Sequence, residues 1–94
     1  MENREYVIKE GGIELLVEGK KLAYITFEKE GENLYNITHT VVDSSLRGQG
    51  IAGELVKRAL TEIEKRKGKV KATCSYASGY LEKHASEINP DLLA

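Results

Sequence analysis

The segment Leu46-Arg47-Gly48-Gln49-Gly50-Ile51-Ala52-Gly53 combines residue types suited to capturing an anion. Glycines let the backbone approach a ligand closely, and the free amides and dipole at a helix start attract negative charge. Arg47 adds a permanent cation whose fork of donors fits phosphate. Gly48-x-Gly50-x-x-Gly53 matches the dinucleotide fingerprint, but its context excludes a Rossmann site. Asp43 to Arg47 intervene between strand and glycines, and Thr73-Cys74-Ser75 stands where the ribose-binding acid should be. No Gly-Lys-Ser/Thr follows, which excludes a Walker-type phosphate loop. A turn that merely packs a helix on a sheet is the weaker alternative, because arginine, close glycines and a small residue occur together.

Four other side chains can do chemistry. Cys74, just before a helix start, is expected to have thiolate character and to act as a nucleophile in a two-step group transfer. It equally suits a small apolar residue ending a buried strand. His39 is expected on the same strand face as Ile37 and Val41, as a base for Cys74 or for an incoming amine, or else as a satisfied histidine on a sheet face. Tyr76 and Tyr80 stand one helical turn apart, where packing is the stronger expectation and Tyr80 the candidate acid. Glu82 and His84 read as solvent-facing. The two histidines and the cysteine lack metal-ligand spacing, so no metal site is expected.

These groups need a scaffold. Tyr6–Lys9 and Ile13–Val17 read as short strands broken at Gly11-Gly12, with a hairpin turn at Glu18-Gly19-Lys20. Lys21–Glu30 alternates, with Ala23, Ile25 and Phe27 on one face. After Gly31-Glu32-Asn33 comes a strand over Leu34–Val42. From Gly50 to about Arg66, Ala52, Leu55, Val56, Ala59, Leu60 and Ile63 recur at helical spacing, and Gly68 is expected to close the helix. Lys69–Cys74 reads as a strand, Ser75 as the cap of a second helix over Tyr76–His84, and Glu87–Ala94 as a loose tail. Strand, helix and strand form a crossover that is almost always right-handed. The fold class is α+β: a mainly antiparallel sheet with one parallel pair, Leu34–Val42 beside Lys69–Cys74. Ligands of such sheets bind beyond the carboxyl ends of parallel strands, here near Val42 and Cys74.

Ninety-four residues with a formal net charge of -1 predict one domain, residues 1–94, and no dedicated nucleic-acid binder. The basic cluster from Lys57 to Lys71 reads first as a solvated helix face and second as a patch for an anionic ligand. A single cysteine, no apolar N-terminal segment and no membrane-length apolar run predict a cytoplasmic protein without membrane attachment.

Arg47-x-x-Gly50-x-Ala52 resembles the GNAT acyltransferase signature, Gln/Arg-x-x-Gly-x-Gly/Ala, and stands where that family has it, after a strand and at the head of a long helix. A short cysteine-containing branch of that superfamily is more similar still, through His39-Thr40 and through Cys74-Ser75-Tyr76-Ala77-Ser78-Gly79-Tyr80-Leu81-Glu82-Lys83-His84. The resemblance runs from Tyr6 to Leu93. It implies a truncated GNAT-like fold that binds acetyl-CoA. Amides of Gly48, Gln49, Gly50, Ile51, Ala52 and Gly53, beside Arg47, would hold the coenzyme A pyrophosphate. Thr40, Val41 and Val42 would pair with the pantetheine arm, and Lys57 or Arg58 would meet the 3′-phosphate. Amides at Val41 or Val42 would polarise the thioester, with His39, Cys74 and Tyr80 as catalytic candidates. In the motif alignment the family's acid position holds Leu81, beside Tyr80.

Full-length GNAT enzymes carry extra helices between their first strands and further C-terminal strands. Here the chain turns directly from Val17 to Lys21, so the acceptor site is expected to be absent, open or completed by another molecule. The implied activity is acetyl transfer to an amine, with a protein or peptide as an expected acceptor. The alternatives are a non-catalytic acetyl-CoA or coenzyme A binding module acting with a partner and, third, a nucleic-acid surface on the basic stretch. The sequence does not specify an oligomeric state.

Overall fold

The computed structural model describes residues 2–94. Its elements are β1 (Arg4–Lys9), β2 (Gly12–Val17), β3 (Lys20–Lys29), β4 (Leu34–Val42), a 3-10 turn (Ser44–Leu46), α1 (Ile51–Lys65), β5 (Lys69–Ala72), α2 (Ser75–Lys83) and a second 3-10 turn (Ala85–Glu87). The five strands lie in sequence order in one sheet, antiparallel up to β4, and β5 is parallel to β4. This is the mixed α+β architecture expected, with α1 as the crossover.

One sheet face holds the core. Ile13, Leu15 and Val17 from β2, Ala23, Ile25 and Phe27 from β3, and Ile37 and Val70 from β4 and β5 are buried there. Leu55, Val56, Ala59, Leu60 and Ile63 of α1 pack on them, and Ala77 brings α2 into the same cluster. The period of α1 places its apolar stripe on the sheet, and Glu54 at its start and Lys65 at its end suit the helix dipole.

Four local expectations are corrected. First, His39 and Val41 do not share a face with Ile37. Thr26 pairs with His39 and Phe27 with Ile37, so Thr38 is the extra residue of a β-bulge. The bulge inverts the alternation: Thr40 and Val42, opposite the buried Ile25 and Ala23, face the core, while His39 and Val41 face outward. Second, β5 ends at Ala72 rather than Cys74, because the amides of Thr73 and Cys74 both turn to Ile37 O, at 3.1 Å each. Cys74, not Ser75, is then the N-cap of α2, with extended φ -68° and ψ 124°. Third, the left-handed residue after α1 is Lys67 (φ 60°), while Gly68 donates to Ile63 O at 2.9 Å. Gly68 is needed for clearance, since a Cβ there would lie 2.6 Å from the Tyr35 ring. Fourth, the tail is packed rather than loose. Leu92 is buried, Val70 N donates to Leu92 O at 2.7 Å and Ala94 N to Val70 O at 3.0 Å, which satisfies the outer edge of β5.

Arg66 ties α1 to the sheet. Its guanidinium bonds Glu62 at 2.7 Å, donates to Glu10 O and Lys9 O at 2.8 and 3.0 Å, and lies over Phe27 and Tyr35. Among the described residues, no helix is long and apolar enough to cross a membrane.

Candidate functional site

The loop between β4 and α1 is anchored at both ends. Asp43 accepts hydrogen bonds from the Ser45 amide and hydroxyl, which hold its carboxyl below the usual range. Leu46 and Ile51 are buried, so Arg47 to Gly50 stand out into solvent between two fixed points. Gly48 and Gly50 have φ of 80° and 73°, a left-handed conformation that side chains oppose. The first backbone bond of α1 runs from Glu54 N to Gly50 O at 3.1 Å. The six amides from Gly48 to Gly53 therefore have no protein acceptor among the described residues. Such a run of free donors at a helix N-terminus is suited to an anion, as a cradle for it.

Next to the cradle, β4 and β5 part. They pair only over Leu34–Ile37, which leaves the β5-facing edge of Thr38–Val42 without a strand partner. Asn36 sits at the fork. Its side chain is 4% exposed, its Nδ2 donates to Glu30 Oε2 at 2.8 Å, and its Oδ1 accepts from Thr73 N at 3.0 Å. Glu30 in turn pairs with Lys71 at 2.7 Å.

Cys74 lies across this fork, half-buried, with Sγ 3.6 Å from Thr40 Oγ1. Burial pushes the thiol up. The nearby Ala77 amide, then the Thr40 hydroxyl and the Tyr76 and Thr40 amides, oppose it by favouring the charged sulfur. They win, so the thiol ionises below its ordinary value. Cys74 and Thr40 are thus brought together on the helix side of the sheet. His39 is not brought to them: it is exposed on the outer face, with Nδ1 3.4 Å from Thr26 Oγ1, which itself lies 2.6 Å from Thr38 Oγ1.

Tyr80 is held against the first turn of α1 and stacks on His84, with ring centroids 4.3 Å apart. Desolvation first, then charge from Tyr76, Glu87 and Glu54, raises its pKa. Tyr76 is more open, at 45% exposure, and its hydroxyl lies 3.4 Å from where a Cβ on Gly53 would stand. Gly53 therefore also serves close packing of α1 on α2. His84 is not simply solvent-facing, since Nδ1 meets Glu87 at 3.1 Å. Arg58 is engaged by Glu54 at 2.7 Å and by the Tyr6 ring at 3.8 Å, which leaves Lys57 as the less committed cation. Sequence reasoning missed Asn36, and it named Thr40 for its backbone without foreseeing the hydroxyl contact with Cys74. A polar side chain inside an otherwise alternating strand was the available signal for Asn36.

Residues 12–91 match the GCN5-related N-acetyl-transferase family. The chain belongs to that family. An NMR solution structure of a GCN5-like protein from Staphylococcus aureus is 33% identical and superposes with a TM-score of 0.77 over all of this chain and 91% of that one. The GNAT family N-acetyltransferase YhbS of Escherichia coli, solved in complex with CoA, is 25% identical over 65% of this chain and 38% of its own, with a TM-score of 0.60. A GNAT acetyltransferase of Elizabethkingia anophelis solved with acetyl-CoA is 17% identical, with a TM-score of 0.60 over 80% of this chain and 53% of that one; it attests the fold. Protein NATD1 of chicken, mouse and human is 32% identical over 62 residues, 66% of this chain. The match spans a little over half of those proteins, 55–56% of their length.

Proposed function

We propose that the chain binds acetyl-CoA and catalyses transfer of its acetyl group to an amine. The observation that carries this reading is the run of free amides from Gly48 to Gly53 at the head of α1, opening beside the strand edge Thr38–Val42. The CoA complex of YhbS adds support from within the family. In this reading the loop amides and Arg47 hold the pyrophosphate, and Thr40, Val41 and Val42 offer their edge to the amide-bearing arm. That arm directs the thioester toward Thr40 and Cys74. The Val42 amide, which points to the free edge while the Val41 amide turns toward β3, stabilises charge developing on the carbonyl oxygen.

Two routes share these parts. In direct transfer, the amine nitrogen forms the C–N bond as the C–S bond breaks; His39 takes the amine proton, and the coenzyme thiolate is neutralised by Tyr80 or by water. In the covalent route, Cys74 thiolate displaces the coenzyme thiolate, and the amine then attacks acetyl-Cys74 and restores the thiol. The opposite placement of His39 and Cys74 favours separate roles over a His-activated cysteine. A protein or peptide amine suits the open outer face, and a reducing cytoplasm suits the free thiol.

Calorimetric titration with acetyl-CoA, coenzyme A and ATP tests the cofactor class: tight binding of the first two alone supports it, and Arg47→Ala should weaken that binding. No binding by the wild-type chain overturns the reading. Mass spectrometry after incubation with acetyl-CoA finds acetyl-Cys74 if the covalent route operates, whereas a fully active Cys74→Ala variant rejects that route. Tight binding with no transfer across a broad amine panel selects the alternative, a binding module that acts with a partner.

A further inference from the structure

We propose that the outer edge of β1 is a self-association seam, on which a second copy of the chain pairs antiparallel with the two-fold axis at Val7. β1 ends the sheet: β2 lies on one side of it, and no strand lies on the other among the described residues. Glu18 N donates to Asn3 O at 2.9 Å, so Asn3, Glu5, Val7 and Lys9 turn their backbone groups toward β2. Arg4, Tyr6 and Ile8 turn theirs outward, because hydrogen-bonding direction alternates along an antiparallel strand.

Ile8 is 55% exposed although it is a large apolar residue in a strand. With Tyr6 and Ile13 it floors a groove of about 250 Å³ between β1 and α1, rimmed by Lys57, Arg58 and Lys65. Edge strands usually carry charges that repel a second strand. Here the charges attract one. With Val7 opposite its own copy, Tyr6 faces Ile8, Glu5 faces Lys9 and Arg4 faces Glu10. Symmetry repeats each contact, giving four opposite-charge pairs and two aromatic–aliphatic pairs.

Neighbouring registers lack this match. An axis at Tyr6 sets Arg4 against Ile8 and Glu5 against Val7, and an axis at Ile8 sets Tyr6 against Glu10 and Val7 against Lys9. The Val7 register also joins Tyr6 to Ile8, the residues whose backbone groups point outward, and Ile8 of the second copy comes to lie beside the groove floor. Among the described residues Glu5, Lys9 and Glu10 have no ion-pair partner, and Arg4 pairs only with nearby Glu2 at 3.0 Å. The self-complementary pattern favours a second copy over an unrelated peptide. One strand pair is a small interface, which belongs to the weak, reversible class.

Sedimentation velocity from about 10 μM to about 1 mM tests the seam, because weak dimers populate within that range. The wild type should shift from monomer to dimer, and added salt should oppose the shift. Glu10→Lys should weaken association about tenfold or more, since both of its pairs become repulsive. The double variant Arg4→Glu/Glu10→Lys swaps the charges and should restore it, an outcome a misfolded chain cannot give. Amides of Tyr6 and Ile8 should gain hydrogen-exchange protection as concentration rises. A chain that stays monomeric, a dimer indifferent to Glu10→Lys, or a loss not rescued by the double variant overturns the proposal.

Discussion

Asn36 offers the sharpest test of how the fork beside the glycine loop is built. Asn36→Ala removes a 4% exposed amide that bonds Glu30 at 2.8 Å and takes the Thr73 amide at 3.0 Å. Losing a buried partner costs about 1–3 kcal/mol. Thr73 N keeps its 3.1 Å bond to Ile37 O and Glu30 keeps Lys71, so the middle of that range, about 2 kcal/mol, is expected. This is a large part of the roughly 5–15 kcal/mol that stabilises an ordinary domain. Urea unfolding should show a lower midpoint at unchanged slope. Asn36→Asp separates bonding from size, because it keeps the acceptor for Thr73 but sets a carboxylate against Glu30. The new pair favours holding a proton, so its folded pKa rises above the unfolded value. Stability should then lie nearest the wild type at acid pH and fall as pH climbs through the raised value. An Asn36→Ala cost under about 0.5 kcal/mol with the Thr73 amide still protected would refute the role of Asn36. An Asn36→Asp deficit that ignores pH would refute the carboxylate contact.

Three further perturbations have defined outcomes. Gly50→Val forces a β-branched residue to φ 73°, at a cost of about 1–2 kcal/mol, and should cut acetyl-CoA affinity at least about tenfold by calorimetry, while Gly50→Asn retains most of it. Alkylation of Cys74 by iodoacetamide should titrate below the ordinary range of an unperturbed cysteine in a peptide control, and Thr40→Val should move the midpoint up; identical midpoints would deny the Thr40 contact. Gly12→Ala places a Cβ 2.2 Å from Ile25 O and should cost about 3 kcal/mol in denaturant unfolding, whereas Gly11→Ala, whose nearest neighbour is 4.0 Å away, should be close to neutral.

The elements were legible wherever burial follows a simple period. The α1 stripe from Leu55 to Ile63 and the Ala23-Ile25-Phe27 alternation are the same residues that the structure buries. The glycine loop was legible because left-handed backbone and exposed amides leave a mark in residue type. The bulge at Thr38 was not, because the polar run Thr38-His39-Thr40 reads equally well in either register. The role of Asn36 depends on Thr73, far along the chain, and no local pattern announces such a bond. The packed tail had a readable signal in Leu92-Leu93, outweighed by Pro90 and the short length of the segment.

The bulge is also what allows β4 to meet several demands at once. An unbroken strand would turn His39 inward with Ile37, where a polar ring would need a buried partner and would compete with Cys74 for space. With Thr38 as the extra residue, Thr40 turns inward instead, and its hydroxyl reaches the Cys74 sulfur. His39 moves to the outer face beside Thr26. The β3-facing edge stays fixed by the pairs Ile25–Thr40 and Ala23–Val42, while the β5-facing edge is released beyond Ile37. In the acetyl-transfer reading, the cofactor arm then lies against the released edge on the Cys74 side. An acceptor reaching His39 arrives through the other face. The two reactants approach one strand without sharing a channel, which explains how so small a chain would bring both to the same carbonyl.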